Sequence, residues 1–142
     1  MTGNLHFPPT LTYHAAQGMV ATAIAHAMKN GWVVAVAVLD PSGGVLSAGR
    51  MDGAVPTILE IATDKAFTAT QGRSTDAFGK RMLEDPQMTL AASNRPRMVA
   101  WEGGLPIRAD GVVVGAIGVS GASGHEDAAC AQAAVERLGF TA

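Results

Sequence analysis

A histidine and two acids at the start of a predicted helix form the first group in this sequence that could transfer protons. His125 is followed by Glu126 and Asp127, and imidazole is the side chain whose unperturbed pKa lies closest to neutral pH. His125 is therefore the leading acid–base candidate. The same residues also suit a solvated first helical turn, in which acids complement the helix dipole. The sequence leaves both interpretations open.

A loop of small residues, 120–124, comes directly before that helix start. The free N–H groups and the dipole at a helix N-terminus attract anions, so the pattern predicts that this loop binds a ligand carboxylate. Ser120, Gly121, Ser123 and Glu126 are the expected ligand-binding residues. The glycine spacing and the lack of a following lysine exclude a nucleotide-binding fingerprint. The alternative is that the glycines permit close packing and the serine only caps the helix.

A second group lies where a predicted strand turns into a helix. Arg50 and Asp52 stand at this strand end, a position from which side chains project beyond the sheet. Arg50 could bind a substrate carboxylate through two parallel hydrogen bonds. Asp52 could orient Arg50, cap the next helix or act as a general base. The alternative is a purely structural Arg–Asp pair with a cap.

Lys65 falls about two turns into that helix, among small apolar residues such as Ala62, Ala66 and Ala69. Its ammonium could reach water along an apolar stem, as lysines commonly do. Enclosed, it would need a partner such as Asp52, or its pKa would fall and make it useful as a base.

The histidines and the cysteine form no pattern of metal ligands. His6, His14, His26 and His125 make neither an H-x-x-x-H pair nor an H-E-x-x-H set, so we expect no metal site. The lone Cys130 excludes an intramolecular disulfide and fits a reducing compartment. It has no adjacent base in sequence, so nucleophilic catalysis by this thiol is not indicated.

Three segments that position these candidates show the spacing of amphipathic helices. Apolar residues recur at three- and four-residue steps over residues 12–29, 56–72 and 123–139, which predicts three helices. Ser123 and Glu126 match a capping box at the start of the last helix.

Two further segments, 33–50 and 105–119, show strand patterns and predict antiparallel hairpins. The second turns at Asp110-Gly111, which suits a type I′ turn. Between the hairpins, residues 73–101 hold five of the ten basic residues. This segment is predicted to form a short helix and a long loop of the kind that often binds ligands. The element order predicts an α/β protein of the α+β type, with an antiparallel sheet covered by helices.

Composition limits the class of protein. The chain has 142 residues, of which 48% are hydrophobic and 15% charged, as in a folded domain. We expect one domain over residues 1–142, with 1–11 as an N-terminal arm. A net charge of -2 argues against a nucleic-acid partner. The chain shows neither a secretory pattern over residues 1–12 nor an apolar run near membrane-spanning length, so we expect a cytoplasmic protein without a membrane partner.

Four motifs follow one another in a distinctive order. They are Arg50-Met-Asp-Gly-Ala54, Lys65-Ala-Phe-Thr-Ala69, Gly104-Leu-Pro-Ile107 and Asp110-Gly-Val-Val-Val-Gly-Ala-Ile-Gly-Val-Ser-Gly121. With them the chain resembles, over most of its length, the GlcG/HbpS family of small haem-binding or haem-degrading-domain proteins. The resemblance implies a sheet of about five mainly antiparallel strands, flanked by helices. It also implies homo-oligomers from dimers to octamers, and it adds Gly104 to the expected ligand-binding residues.

The resemblance leaves two functions open. In the first, the protein binds a small molecule, with haem or another tetrapyrrole as the ligand, and the propionates meet Arg50 and the amides of residues 120–124. Scattered methionines could line such a ligand, although they more often fill a core. In the second, the protein is a cofactor-independent isomerase, hydratase or lyase acting on a small carboxylated compound in a catabolic pathway. His125 or Asp52 would then move a proton, and Lys65 or Arg50 would stabilise an enolate-like charge.

Overall fold

Residues 2–142 are described by a computed structural model, in which helices enclose an antiparallel sheet. After a short 3-10 turn at Thr2–Asn4, the elements are α1 (Tyr13–Lys29), β1 (Ala35–Leu39), β2 (Val45–Arg50), α2 (Pro56–Ala69), α3 (Thr75–Glu84), α4 (Pro86–Ser93), β3 (Gly104–Ala109), β4 (Val112–Ser120) and α5 (Gly124–Arg137). None of the helices in these residues has the length and apolar character needed to span a membrane.

The three predicted helices are confirmed, and two of them begin with side-chain caps. The Thr12 hydroxyl accepts a hydrogen bond from the Ala15 N–H at the start of α1. Ser123 and Glu126 form the predicted capping box at the start of α5, each side chain accepting from the other residue's backbone N–H. These local bonds satisfy N–H groups that the helices themselves leave without partners.

The segment between the hairpins differs from the prediction of one short helix and a long loop. It contains two helices, α3 and α4, before a shorter connection leads to β3. The Ser74 side chain caps α3, and Asp85, followed by Pro86 in the first turn, caps α4. Both helices are short and bury few residues, so the buried apolar face that marks a longer helix is small here.

The sheet has the strand order β2-β1-β4-β3, and every neighbouring pair is antiparallel. The turn between β3 and β4 has the predicted positive φ at both central residues, 50° at Asp110 and 79° at Gly111. The expected sheet of about five strands is corrected to four within residues 2–142. Near the C-terminus, Thr141 adds only an isolated bridge to Arg108, so the pairing is too short to form a strand.

Helices cover the sheet on both faces. The valines of β1 pack with α1 and α5 on one face, while Ala37 and Leu39 pack with α2 on the other. On the α2 face, a Cβ atom at Gly118 would lie 1.9 Å from the Ala62 carbonyl oxygen. The backbone of α2 therefore lies directly on β4, which brings the next turn of the helix, and with it Lys65, to the end of that strand.

The last residue of the predicted N-terminal arm, Leu11, contacts the sheet. The side chains of residues 3–10 are exposed, whereas Leu11 is buried and its N–H donates to the Val114 carbonyl. The chain is therefore fixed to the sheet immediately before α1.

Candidate functional site

A buried ion pair lies between α2 and α5. The Lys65 Nζ atom is 2.9 Å from Asp127 Oδ2, and the two side chains are 2% and 3% exposed. Lys65 also donates to the Val119 carbonyl oxygen at 2.9 Å. Taking two charges out of water costs several kcal/mol per ion before their attraction is counted, so a fold rarely places such a pair in its interior without a specific need.

Neighbouring backbone fixes the position of this pair. The Ala122 N–H donates to the other Asp127 oxygen, Oδ1, at 2.9 Å. At Gly103, which has a φ of 123°, a Cβ atom would lie only 2.9 Å from Lys65 Nζ and 2.4 Å from the Val119 oxygen. Glycine at this position therefore leaves the space that the ammonium group occupies.

Burial shifts both titrations toward the uncharged forms. Desolvation lowers the pKa of Lys65, and the opposing effects of Asp127 and of the more distant Glu102 are smaller. Desolvation likewise raises the pKa of Asp127 against the influence of Lys65 and the Ala122 N–H. A lysine with a lowered pKa in a concave site is a candidate base or nucleophile.

The pair lies at the floor of a cleft of about 850 Å³, which we call the lysine cleft. Its floor includes Ser120, its walls carry apolar side chains from α2, α3 and the connection to β3, and its rim is charged. The apolar wall residues include Ile58, Ile61, Met82, Leu83 and Trp101, and the rim residues are Asp76, Lys80 and Glu102. Most drug-sized ligands occupy sites of this size and character.

The loop 120–124 contributes differently to this cleft than the anion-binding prediction expected. Ser120 and Gly121 line it, but the N–H groups of Ala122 and Ser123 already donate to Asp127 and Glu126. The anions that this helix start attracts are thus the chain's own carboxylates. Ser123 and Glu126 serve as the capping box.

His125 points away from the ion pair. Its side chain is 94% exposed, and its nearest acid is Glu102, with 4.0 Å between Nδ1 and Oε2. His125 therefore lies in a solvated first helical turn, which is the alternative interpretation of this segment. The predicted acid–base group therefore divides, with Asp127 inside the lysine cleft and His125 in solvent.

Arg50 and Asp52 lie elsewhere. The Arg50 guanidinium donates to the Ala54 carbonyl oxygen, and no ion pair joins it to Asp52 within residues 2–142. The suggestion that Asp52 caps α2 is wrong, because Val55 occupies the cap position without a side-chain bond. Asp52 is also not the partner of Lys65, because Asp127 takes that place.

Gly104 has a packing role next to the cleft. Its N–H donates to the Thr75 hydroxyl at 3.0 Å, and a Cβ atom there would lie 2.4 Å from the Lys65 carbonyl oxygen. It does not line the lysine cleft in the described part of the chain. Over the same residues, no three His, Cys, Asp or Glu side chains group together to hold a metal ion.

The sequence prediction included Asp127 only as a neighbour of His125, and it did not name the rim residues Asp76, Lys80 and Glu102 as site residues. Asp127 shares its helix face with Cys130, Ala131 and Ala134, all of which are buried. That spacing of three, four and seven residues marks an inward-facing position, and it is the signal that could have found this acid.

A second concave site lies between α2, α3, α4 and the connection that follows. It encloses about 570 Å³, and we call it the arginine groove. Three guanidinium groups, two aromatic rings and two thioethers line it, from Arg81, Arg95, Arg97, Phe67, Phe78, Met88 and Met98. Arg97 stacks over the Phe67 ring, 3.7 Å from its centre, and lies 3.6 Å from an Asp64 carboxylate oxygen.

Comparison with known proteins identifies the family of this chain. A family model described as "Haem degrading protein HbpS-like" matches residues 11–136. The chain belongs to the GlcG/HbpS family. Protein GlcG of Escherichia coli strain K12 is 36% identical over 110 residues, which make up 78% of this chain and 81% of that protein.

Solved structures of the GlcG/HbpS type share the fold. The crystal structure of HbpS superposes with a TM-score of 0.89 at 37% identity and covers 96% of each chain. A structure of PduOC in complex with haem superposes with a TM-score of 0.83 at 25% identity, covering 93% of this chain and 97% of that one. The family and the α+β fold predicted from the motifs are therefore confirmed.

This member of the GlcG/HbpS family thus carries two sites of opposite character. The lysine cleft is apolar with two lysines and three acids around it. The arginine groove holds three guanidinium groups, and none of the described residues that line it is acidic. The two sites suit different ligands.

Proposed function

We propose that this protein binds haem or another tetrapyrrole, and that the arginine groove is the binding site. The observation that carries the proposal is the combination of side chains in that groove. Guanidinium groups pair with carboxylates such as the two propionates, phenylalanine rings contact an apolar macrocycle, and methionine sulfur is an established axial ligand of haem iron.

The lysine cleft fits this ligand less well. Asp76, Glu102 and Asp127 carry three carboxyl groups into it against two lysines, an arrangement that repels an anionic ligand. In the arginine groove, Arg81 and Arg95 make no ion pair with any carboxylate in residues 2–142, so their donors are free for propionates. Met88 and Met98 would supply the sulfur ligands, and the bound iron would supply redox or oxygen chemistry.

A haemin titration followed by the Soret absorbance tests the proposal. We expect saturable binding, and we expect Arg95→Ala to weaken it about tenfold, since a hydrogen bond to a charged group contributes about 1.5 kcal/mol or more. Met98→Leu should change the Soret position by removing one sulfur ligand. Arg137→Ala is the matched control, because this exposed arginine of α5 lies outside the groove.

Three results would overturn this assignment. Haemin that binds without saturation, or equal losses in Arg95→Ala and Arg137→Ala, would remove the groove as a specific site. Weakening by Trp101→Ala with no effect of Arg95→Ala would move the tetrapyrrole to the lysine cleft.

We also propose that the protein forms homo-oligomers in the cytoplasm. Several large apolar side chains are exposed, including Phe7 at 78% and Leu90 at 74%. Exposed apolar surface of this kind favours contact with another protein molecule. The free, buried Cys130 suits a reducing compartment. Sedimentation equilibrium gives the mass of the assembly, and a monomer at all concentrations would contradict the proposal.

A further inference from the structure

Lys65 presents an amine with one unused bonding position to the lysine cleft. Within residues 2–142, Nζ has two hydrogen-bond partners, the Val119 oxygen and Asp127 Oδ2, whereas an ammonium group has three donors. The side chain also lines the cleft. The nitrogen therefore has a third bonding position with no partner among the described residues, on a side chain that lines the cleft.

We propose that Lys65 forms an imine with an apolar aldehyde or ketone bound in the lysine cleft. This activity is separate from tetrapyrrole binding, because the two sites share none of their lining residues. The class of substrate follows from the walls. Ile58, Ile61 and Trp101 offer apolar contacts, and the excess of acids over lysines disfavours a carboxylated compound.

Asp127 supplies the proton transfers that imine formation requires. Its carboxylate takes one proton from the Lys65 ammonium, the free amine adds to the carbonyl carbon, and Asp127 returns the proton to the carbonyl oxygen. A second proton then passes from nitrogen through Asp127 to the hydroxyl group, and the C–O bond breaks to release water. The ammonium and the carbonyl are converted to a protonated imine and one water molecule, and Asp127 ends as a carboxylate.

The surroundings increase the fraction of Lys65 that is present as the free amine. Desolvation lowers the pKa of Lys65, although Asp127 from α5 and Glu102 from the connection before β3 oppose it. Glu126 acts on the acid in turn and helps to raise the pKa of Asp127. A desolvated lysine is one of the recognised forms of an activated amine nucleophile.

Reductive trapping tests the proposal in the intact protein. Benzaldehyde and cyanoborohydride are added at neutral pH, and peptide mass spectrometry locates the benzyl group. The sequence contains three lysines, Lys29, Lys65 and Lys80, of which the first and last are exposed, so each site is resolved separately. We expect Lys65 to be labelled faster than Lys29, because its lowered pKa leaves more free amine and the cleft holds the aldehyde beside it.

The concentration dependence separates binding in the cleft from surface chemistry. Labelling of Lys65 should saturate with benzaldehyde, whereas labelling of Lys29 should rise linearly. Leu83→Ala, on the cleft wall, should raise the concentration for half-saturation, and Leu90→Ala, an exposed leucine outside the cleft, should not. Both variants are used only if sedimentation gives them the same mass as the wild-type protein.

Two outcomes would overturn the proposal. In the first, Lys65 of the wild-type protein is labelled no faster than Lys29. In the second, its labelling rises without saturation or is unaffected by Leu83→Ala. Haemin binding remains measurable in either case, so failure here and failure of the tetrapyrrole proposal are distinguishable.

Discussion

Asp127→Asn is the substitution that most directly tests how the buried pair contributes to the fold. Asparagine keeps the shape of the side chain and an oxygen for the Ala122 N–H, but it removes the charge that faces Lys65. Removing one partner of a buried ion pair typically costs about 3–5 kcal/mol. We expect about 3 kcal/mol here, because Lys65 keeps its bond to the Val119 oxygen and can release its proton.

The direction in which this loss of stability changes with pH follows from the pKa of Lys65. Desolvation places the pKa of folded Lys65 below its ordinary value of 10.5. Between these two pKa values unfolded Lys65 binds more protons than folded Lys65, so its contribution to the free energy of unfolding rises with pH up to about 10.5. Asp127→Asn removes two influences that raise the pKa of Lys65. The rise should therefore begin at a lower pH in the variant, and the difference from wild type should shrink across that window.

Urea denaturation at several pH values measures these quantities in a double-mutant cycle with Lys65→Met. Combining Lys65→Met with Asp127→Asn should cost clearly less than the two single losses added together, because no unpaired charge is left inside. Lys80 and Asp76 provide the matched control, since the same two atoms also lie 2.9 Å apart but in solvent. Asp76→Asn should leave the free energy of unfolding nearly unchanged. Equal effects at both pairs, or strict additivity at the buried pair, would refute the reasoning.

Two further predictions concern the packing around the sheet. Gly118→Ala should destabilise the protein by more than the 1–3 kcal/mol or so of ordinary overpacking, because its Cβ atom would meet the backbone of α2 at 1.9 Å. Thermal unfolding against Gly3→Ala, where nothing lies within 4 Å, measures the difference, and equal midpoints would contradict the packing described. Cys130 should resist iodoacetamide in the native protein at about pH 8 and react in urea, since burial raises its pKa to about 11. Rapid alkylation of the native protein would show that α5 opens to solvent.

The elements predicted correctly are those whose signals are local. The capping box at Ser123 and the two-residue turn at Asp110-Gly111 each depend on residues a few positions apart. The two helices of the α3–α4 segment are harder to predict, because they are short and bury few residues. The strand order also depends on long-range pairing, in which β1 pairs with β4 although β2, β3 and three helices lie between them along the chain. Neither the periodicity nor the family motifs predicted that order.

The candidate site was harder to predict than the fold, because its main contact joins residues far apart in the sequence. The small residues around Lys65 indicated that its amine could be enclosed, but the partner lies 62 positions further along the chain, beyond the reach of any pattern in one helix. Sequence neighbours then misled the choice of acid–base residue. Successive helical residues turn by about 100°, so His125 and Asp127, two positions apart, face nearly opposite directions. One must be in solvent when the other is buried, and the burial of Cys130 and Ala134 on the same face selects Asp127. The acid that faces the lysine is therefore identified by helix geometry, even though the histidine has the more suitable intrinsic pKa.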